Sequence, residues 1–446
     1  MRIDKEGIAM KKLLGKLLAL ILAIVIAACG FIVLCGINPE IAKGASDASK
    51  GLSEYIRSQN PEEAEEGAAM AASTAEDETG KENALADIIG DVADAASYVS
   101  SFTVSEKQEK EFAEYEGNWS SSGIDKDLVK EAEEPLVNQD LSEDPTDDTT
   151  YYSITDDMTG LVQPESNVIE LKTADDVKQA ISEISMGSTG TDYTFGSTYY
   201  PYYNMLTDKC KQLYKQIYAN TLAERTTFLP VTKATPQECN NALMSVIYDH
   251  PELFWLNTKM YTEYDYKGNV VKLQLYFYED ELGDIAQARN TFDTMIDSFL
   301  AGAAEQTFKT DYDKEVYVHN TLVERLTYKD TPLDQSAYSA IVEKETVCAG
   351  YSKAFQLLMQ QLDVPTYLSV GWGGGLISGD MHAWNIIKLG DDYYNVDVTW
   401  DDQDPVNYNY FNQSDKDFHR HIRMFNSQYL PACNGKKYAK SPTTNQ

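Results

Sequence analysis

Hydrophobic positions fall into three regimes along the chain. Over residues 13–37 they run almost unbroken, interrupted by Lys16 and small residues. That run is long enough to cross a bilayer as one helix of about 20 residues. Over residues 38–164 large apolar side chains are sparse, and Ala, Ser, Glu and Asp dominate. Such a stretch cannot bury enough surface to offset its chain entropy, so it reads as an acidic, mostly disordered tether. Within it, Leu85, Ile88, Ile89, Val92 and Val99 share a helical stripe that reads as a transient helix.

From about residue 165 the pattern becomes periodic. Residues 168–171 read as a strand, and Thr173-Ala174-Asp175-Asp176 as a capped helix start with Val177, Ile181 and Ile184 on one face. Tyr199-Tyr200-Pro201-Tyr202-Tyr203 reads as an ordered loop packed on the core. Leu206, Cys210, Leu213, Tyr214 and Ile217 trace the next helix face, and Thr235-Pro236-Gln237-Glu238 joins a cap, a first-turn proline and a capping-box glutamate. A hairpin is expected between 260–266 and 270–278, then helices at about 284–302 and 312–327. Behind Cys348, the residues Ala354, Phe355, Leu358 and Leu362 recur at helical spacing until Asp363-Val364-Pro365 ends the helix. Residues 366–370 read as a strand and Gly371-Trp372-Gly373-Gly374-Gly375 as a flexible loop. Residues 383–389 and 393–398 read as paired strands about a turn at Gly390-Asp391-Asp392. The expected organisation is a cytoplasmic N-terminus (1–12), an anchor or signal segment (13–37), the tether (38–164), an α+β part (165–304) and a core carrying the chemistry (305–446). The last two form one continuous globular unit.

Charge adds a location. The 446 residues include 37 basic and 71 acidic groups, a formal net charge of −34. That balance argues against nucleic acid as a partner and suits a solvated protein outside a cell or near its surface. Arg2, Lys5, Lys11 and Lys12 precede the apolar run, and Glu40, Lys43 and Asp47 follow it. The positive-inside rule then places the body outside the membrane. A cleaved signal peptide is one alternative. A lipoprotein anchored at Cys29 is another, because Ile26-Ala27-Ala28-Cys29-Gly30 resembles a lipobox, although Phe31-Ile32-Val33-Leu34 continues the apolar run past it.

The six cysteines form neither a disulfide framework nor a C-x-x-C zinc pair. Cys210 and Cys239 read as separate small hydrophobes on helices, though they could pair in an oxidising compartment. His419 and His421, near Asp415 and Asp417, read as surface polar residues rather than metal ligands. Residues 371–375 lack the strand-turn-helix setting of a phosphate loop. No metal or cofactor is expected.

Chemistry concentrates in three stretches. Cys348 opens a helix, where the dipole and unpartnered N–H groups favour a thiolate and can supply part of an oxyanion hole. Gly350 leaves room for close approach. His382 starts a strand, and Asp397 lies on the expected hairpin partner, where sheet neighbours stand about 5 Å apart. An aspartate between Val396 and Val398 needs a polar partner if buried. Singly these residues read as an inert thiol, a structural histidine and an edge carboxylate. Together they read as nucleophile, base and orienting carboxylate.

Val347-Cys348-Ala349-Gly350-Tyr351-Ser352-Lys353-Ala354-Phe355, His382-Ala383-Trp384-Asn385 and Val396-Asp397-Val398-Thr399-Trp400-Asp401-Asp402 resemble the core motifs of the transglutaminase-like superfamily. The bacterial surface branch is the nearest in pattern, and kyphoscoliosis peptidase and the fungal cytokinesis proteins carry similar motifs. The resemblance is strict over about 345–402 and looser over about 205–446. It implies an α+β, papain-like fold in which a helix carrying the cysteine packs on an antiparallel sheet, with Cys348, His382 and Asp397 catalytic. It implies a protein or peptide substrate, with cell-wall peptide suggested by location. Amide cross-linking, peptide hydrolysis and a silent scaffold all occur within that resemblance. The side chain completing the oxyanion hole is left open between Trp384 and Gln356.

Overall fold

Two four-stranded sheets and the helices between them organise the structure, a computed structural model that describes residues 120–129, 165–374, 379–403 and 405–439. The elements are β1 (Glu165–Leu171), α1 (Ala174–Ile181), α2 (Asp208–Leu222), β2 (Thr227–Phe228), α3 (Pro236–Asp249), β3 (Leu256–Asp265), β4 (Val270–Phe277), α4 (Ile285–Ala304), α5 (Asp311–Arg325), β5 (Thr327–Tyr328), β6 (Glu345–Thr346), α6 (Cys348–Gln361), β7 (Thr366–Gly373), β8 (Asp380–Leu389), β9 (Asp392–Val396), α7 (Val398–Asp401) and β10 (His421–Arg423). The mixed α+β architecture is the one expected. Helix starts follow from local chemistry: Thr173, Thr235 and Thr310 each close a capping box, satisfying backbone donors that have no helical acceptor.

The first sheet has the order β1-β3-β4-β2, with the expected β3–β4 hairpin at its centre. β1 pairs with β3 in parallel, a long-range pairing that no local pattern announces. The second sheet, β10-β7-β8-β9, is antiparallel throughout. Helix α6 crosses it, and its buried residues include Cys348, Phe355 and Leu358. One hydrophobic cluster runs from Ile124 to Cys433 and includes both sheets. The tyrosine stretch, expected as a loop, turns helical over Pro201–Asn204 and packs against the second sheet: Tyr202 is fully buried, and its hydroxyl donates to the Leu368 carbonyl at 2.7 Å and meets Ser427 Oγ at 2.6 Å. Cys210 and Cys239 are buried free thiols, as expected of small hydrophobes.

Three expectations are corrected. Residues 120–129, assigned to the tether, pack on the globular unit. Ile124 and Val129 are buried, Asp125 N donates to Met205 O at 2.8 Å, and Asn241 Nδ2 donates to the carbonyls of Ser120 and Ser122. Hydrogen bonds to the Met205 backbone and from the Asn241 side chain order a stretch whose own hydrophobicity is too low to predict it. Gly371, Trp372 and Gly373 form the end of β7 rather than a flexible loop. Glycine is required there because β10 lies so close that a Cβ at Gly371 would sit 1.9 Å from the Ile422 carbonyl oxygen. Val398 is helical rather than the end of a strand, because Asp397 caps α7.

Among the described residues no helix is long and apolar enough to cross a membrane. The apolar run at 13–37 and the tether stretches 38–119 and 130–164 lie outside the described residues.

Candidate active site

Helix α6 begins at Cys348, directly after a residue in extended conformation, Val347, whose side chain makes no capping bond. The helix is fixed against β8 by two motif residues. Ser352 Oγ donates to the Ala383 carbonyl at 2.8 Å, and Asn385 Nδ2 donates to the Ser352 carbonyl at 2.9 Å. These bonds tie the strand just after His382 to the first turns of α6 and set His382 beside the helix start. Gly350 permits that placement, since a Cβ there would collide with Thr346 Oγ1. Gly373 plays the same part for the imidazole: a Cβ would lie 2.7–2.9 Å from the His382 side chain.

His382 Nε2 lies 2.6 Å from Asp397 Oδ2. The Cys348 thiol also hydrogen-bonds the ring, and Nδ1 is the nitrogen left for it. The three residues named from sequence are therefore brought together. Cys348 and Asp397 are 0% exposed and His382 is 3% exposed. Burial alone would lower the His382 pKa, but the Asp397 carboxylate, Cys348 and hydrogen bonds to both raise it to about 10. Burial alone would raise Asp397. The His382 charge and hydrogen bonds from His382 and His421 instead hold it well below the usual carboxylate range. The arrangement favours a charged imidazolium–carboxylate pair.

Asp397 has more partners than a triad requires. Its Oδ1 accepts from Thr399 N at 3.0 Å and Trp400 N at 3.2 Å, the cap of α7. Its Oδ2 also meets His421 Nε2 at 3.1 Å. His421 was expected at the surface; it is instead fully buried on β10, next to β7. The segment His419-Arg420-His421-Ile422-Arg423 is polar except for Ile422, so nothing local marks it as a core strand. Only the pairing of β10 with β7 turns it inward. His421 Nδ1 lies 2.9 Å from the His419 carbonyl, so both ring nitrogens face acceptors, while burial pushes the imidazole's pKa down.

His382, Asp397 and His421 also group closely enough to suggest a metal, with ligand atoms within 4.8 Å of one another. The hydrogen bonds already described satisfy those same atoms. A metal would have to replace them in a buried space.

The short helix α7 is held from its far side. Asp401 Oδ2 lies 3.1 Å from His319 Nε2 on α5 and Asp401 Oδ1 accepts from Tyr410 N at 2.8 Å. Burial raises the Asp401 pKa to about 6. The two residues considered for an oxyanion hole are engaged elsewhere. Trp384 Nε1 donates to Asn395 Oδ1 at 3.3 Å, and Gln356 Nε2 donates to the Tyr248 carbonyl at 2.9 Å.

Comparison with known proteins follows the motifs. The family model of the transglutaminase-like superfamily matches residues 300–398, a segment that contains Cys348, His382 and Asp397. No curated protein matches the chain. Among solved structures, a candidate cysteine protease from Cytophaga hutchinsonii is 16% identical at a TM-score of 0.21, covering 29% of this chain and 51% of its own. A TGase is 14% identical at a TM-score of 0.22, covering 52% of this chain and 59% of its own. The chain thus spans little more than half the length of either structure, and at those scores neither likeness supports an argument. The expectation drawn from the three motifs is met over residues 300–398: this segment of the chain is transglutaminase-like.

Proposed function

We propose that the chain is a cysteine enzyme that transfers acyl groups from amide bonds of proteins or peptides, with water or an amine as acceptor. The observation that carries this is the hydrogen-bonded series of Cys348, His382 and Asp397, with His382 Nε2 2.6 Å from the carboxylate. Cys348 Sγ attacks the amide carbonyl carbon, and the C=O electron pair moves onto oxygen. Collapse breaks the C–N bond, His382 protonates the departing amine, and a thioester remains. The acceptor then attacks the thioester, giving its proton to His382 and releasing Cys348. Asp397 holds the ring and stabilises its charge.

The body is proposed to stand outside the membrane, on an anchor at 13–37 and an acidic tether, with envelope proteins or cell-wall peptides as substrates. Basic residues before the apolar run support that orientation. A second reading, a catalytically silent scaffold, draws on the complete burial of the Cys348 side chain. The test is labelling of the purified protein with a thiol-reactive amide mimic. Labelling lost in Cys348→Ala and slowed in His382→Ala supports the enzyme. Labelling unchanged in either variant, or absent in the wild type, favours the scaffold. Mass spectrometry of envelope peptides treated with and without added amine separates hydrolysis from cross-linking.

A further inference from the structure

The attack on an amide carbonyl leaves negative charge on oxygen, and such sites place two donors where that charge develops. The Cys348 N–H is one donor, because the first N–H groups of a helix have no helical acceptor and Val347 supplies no side-chain cap. Trp384 and Gln356 are committed elsewhere. The Tyr328 hydroxyl accepts a hydrogen bond from the Cys348 N–H.

Its position follows from the fold. β5 and β6 form a two-residue parallel ladder in which Tyr328 stands across from Thr346, two residues before the nucleophile. Thr327 N donates to Lys344 O at 3.0 Å and Lys329 N to Thr346 O at 2.9 Å, so the backbone is pinned on both sides of Tyr328. The ring stacks against Tyr351, in the first turn of α6, at 6.4 Å between centroids. The phenol is thus fixed to the segment that delivers the nucleophile.

We propose that Tyr328 is a catalytic residue whose hydroxyl, beside the Cys348 N–H, donates to the substrate oxyanion. This rests on the reading of Cys348 as the nucleophile. As the C–S bond forms, the oxyanion takes the hydrogen bond from Cys348 N–H that the phenol accepts at rest. The phenol turns its own proton to the same oxygen. Tyr328 transfers no proton. Burial first, and then negative charge at Cys348 and Asp330, raises its pKa, so the phenol keeps the proton it must donate.

Two reactions of Cys348 separate this role from a structural one. Alkylation by iodoacetamide is displacement at a saturated carbon and forms no oxyanion. Acylation by p-nitrophenyl acetate passes through one. In the full-length chain, Tyr328→Phe is expected to keep the alkylation rate and its pH dependence within about twofold. Acylation should fall about 100- to 1000-fold, the usual effect of removing one oxyanion donor. Tyr328→Gln, which offers an amide N–H, should recover part of the loss. Acylation of Tyr328→Phe at the wild-type rate overturns the assignment while leaving the Cys348 chemistry intact. So does an equal fall in alkylation and acylation. A wild-type Cys348 that reacts with both reagents no faster than glutathione overturns the enzyme reading, and this inference with it.

Discussion

Replacing Asp397 with asparagine removes one negative charge and keeps the side chain's size. Two losses follow. Whichever oxygen becomes the amide nitrogen, it faces two N–H donors: those of Thr399 and Trp400 at 3.0 and 3.2 Å, or the His382 and His421 nitrogens at 2.6 and 3.1 Å. Each buried donor left without an acceptor costs about 1–3 kcal/mol, independent of pH. The second loss is the charge pair, and it depends on pH. The His382 pKa rises from 6.5 to about 10 in the fold, and at 1.4 kcal/mol per pH unit that caps its contribution at roughly 5 kcal/mol. Breaking a buried pair ordinarily costs about 3–5 kcal/mol, which agrees. Because the folded pKa is the higher one, this stability is complete below about pH 6.5 and is lost as pH rises through about 10. Asp397, whose pKa is depressed, adds stability that is complete above its ordinary value near 4 and lost in stronger acid. Urea denaturation of wild type and Asp397→Asn at pH 6, 8 and 10 reads the difference. The deficit of the variant should be greatest at pH 6 and shrink by several kcal/mol at pH 10. A deficit of the same size at all three would mean that His382 and Asp397 are not a charged pair.

Two other substitutions probe the surroundings. Gly371→Ala places a methyl group 1.9 Å from the Ile422 carbonyl oxygen, so β10 must move and carry His421 away from Asp397. Stability should fall by about 1–3 kcal/mol, as in overpacked sites, and thiol labelling should slow with it; an unfolding free energy from urea denaturation within about 0.5 kcal/mol of wild type, the range of surface changes, would refute the close approach. Glu315 is fully buried, burial raises its pKa well above 4.5, and its Oε1 has no hydrogen-bond partner among the described residues. A raised carboxyl pKa contributes stability below its ordinary value that is lost as pH rises. Glu315→Gln should therefore gain about 1–3 kcal/mol at pH 8 and nothing near pH 4, measured by the same denaturation series; equal stability at both pH values would contradict the buried neutral acid.

Local chemistry was enough to locate the site's parts. The helix behind Cys348 follows from its apolar spacing and the proline that ends it. The strand of His382 and its hairpin follow from alternation and the turn at Gly390, and the helix starts at Thr173 and Thr235 from capping residues. Short-range physics governs all of these, so they are readable in a window of a few residues. The contact of His382 with Asp397 was within reach because a hairpin fixes its own pairing.

What only the tertiary structure decided lies across longer distances. β10 joins β7 through a long connection, and that pairing alone buries His421 against Asp397. The glycines at 371 and 373 look like a loop in sequence because glycine permits many conformations. In the fold they are the two places where a neighbouring strand and the His382 ring come too close for any side chain. Tyr328 belongs to the site because a two-residue ladder places it beside Thr346, a pairing too short to leave a pattern. The sequence by itself determined which residue types could do the chemistry. The packing of distant strands determined which other groups would surround them, because contacts between segments far apart in the chain depend on the whole fold rather than on local preference.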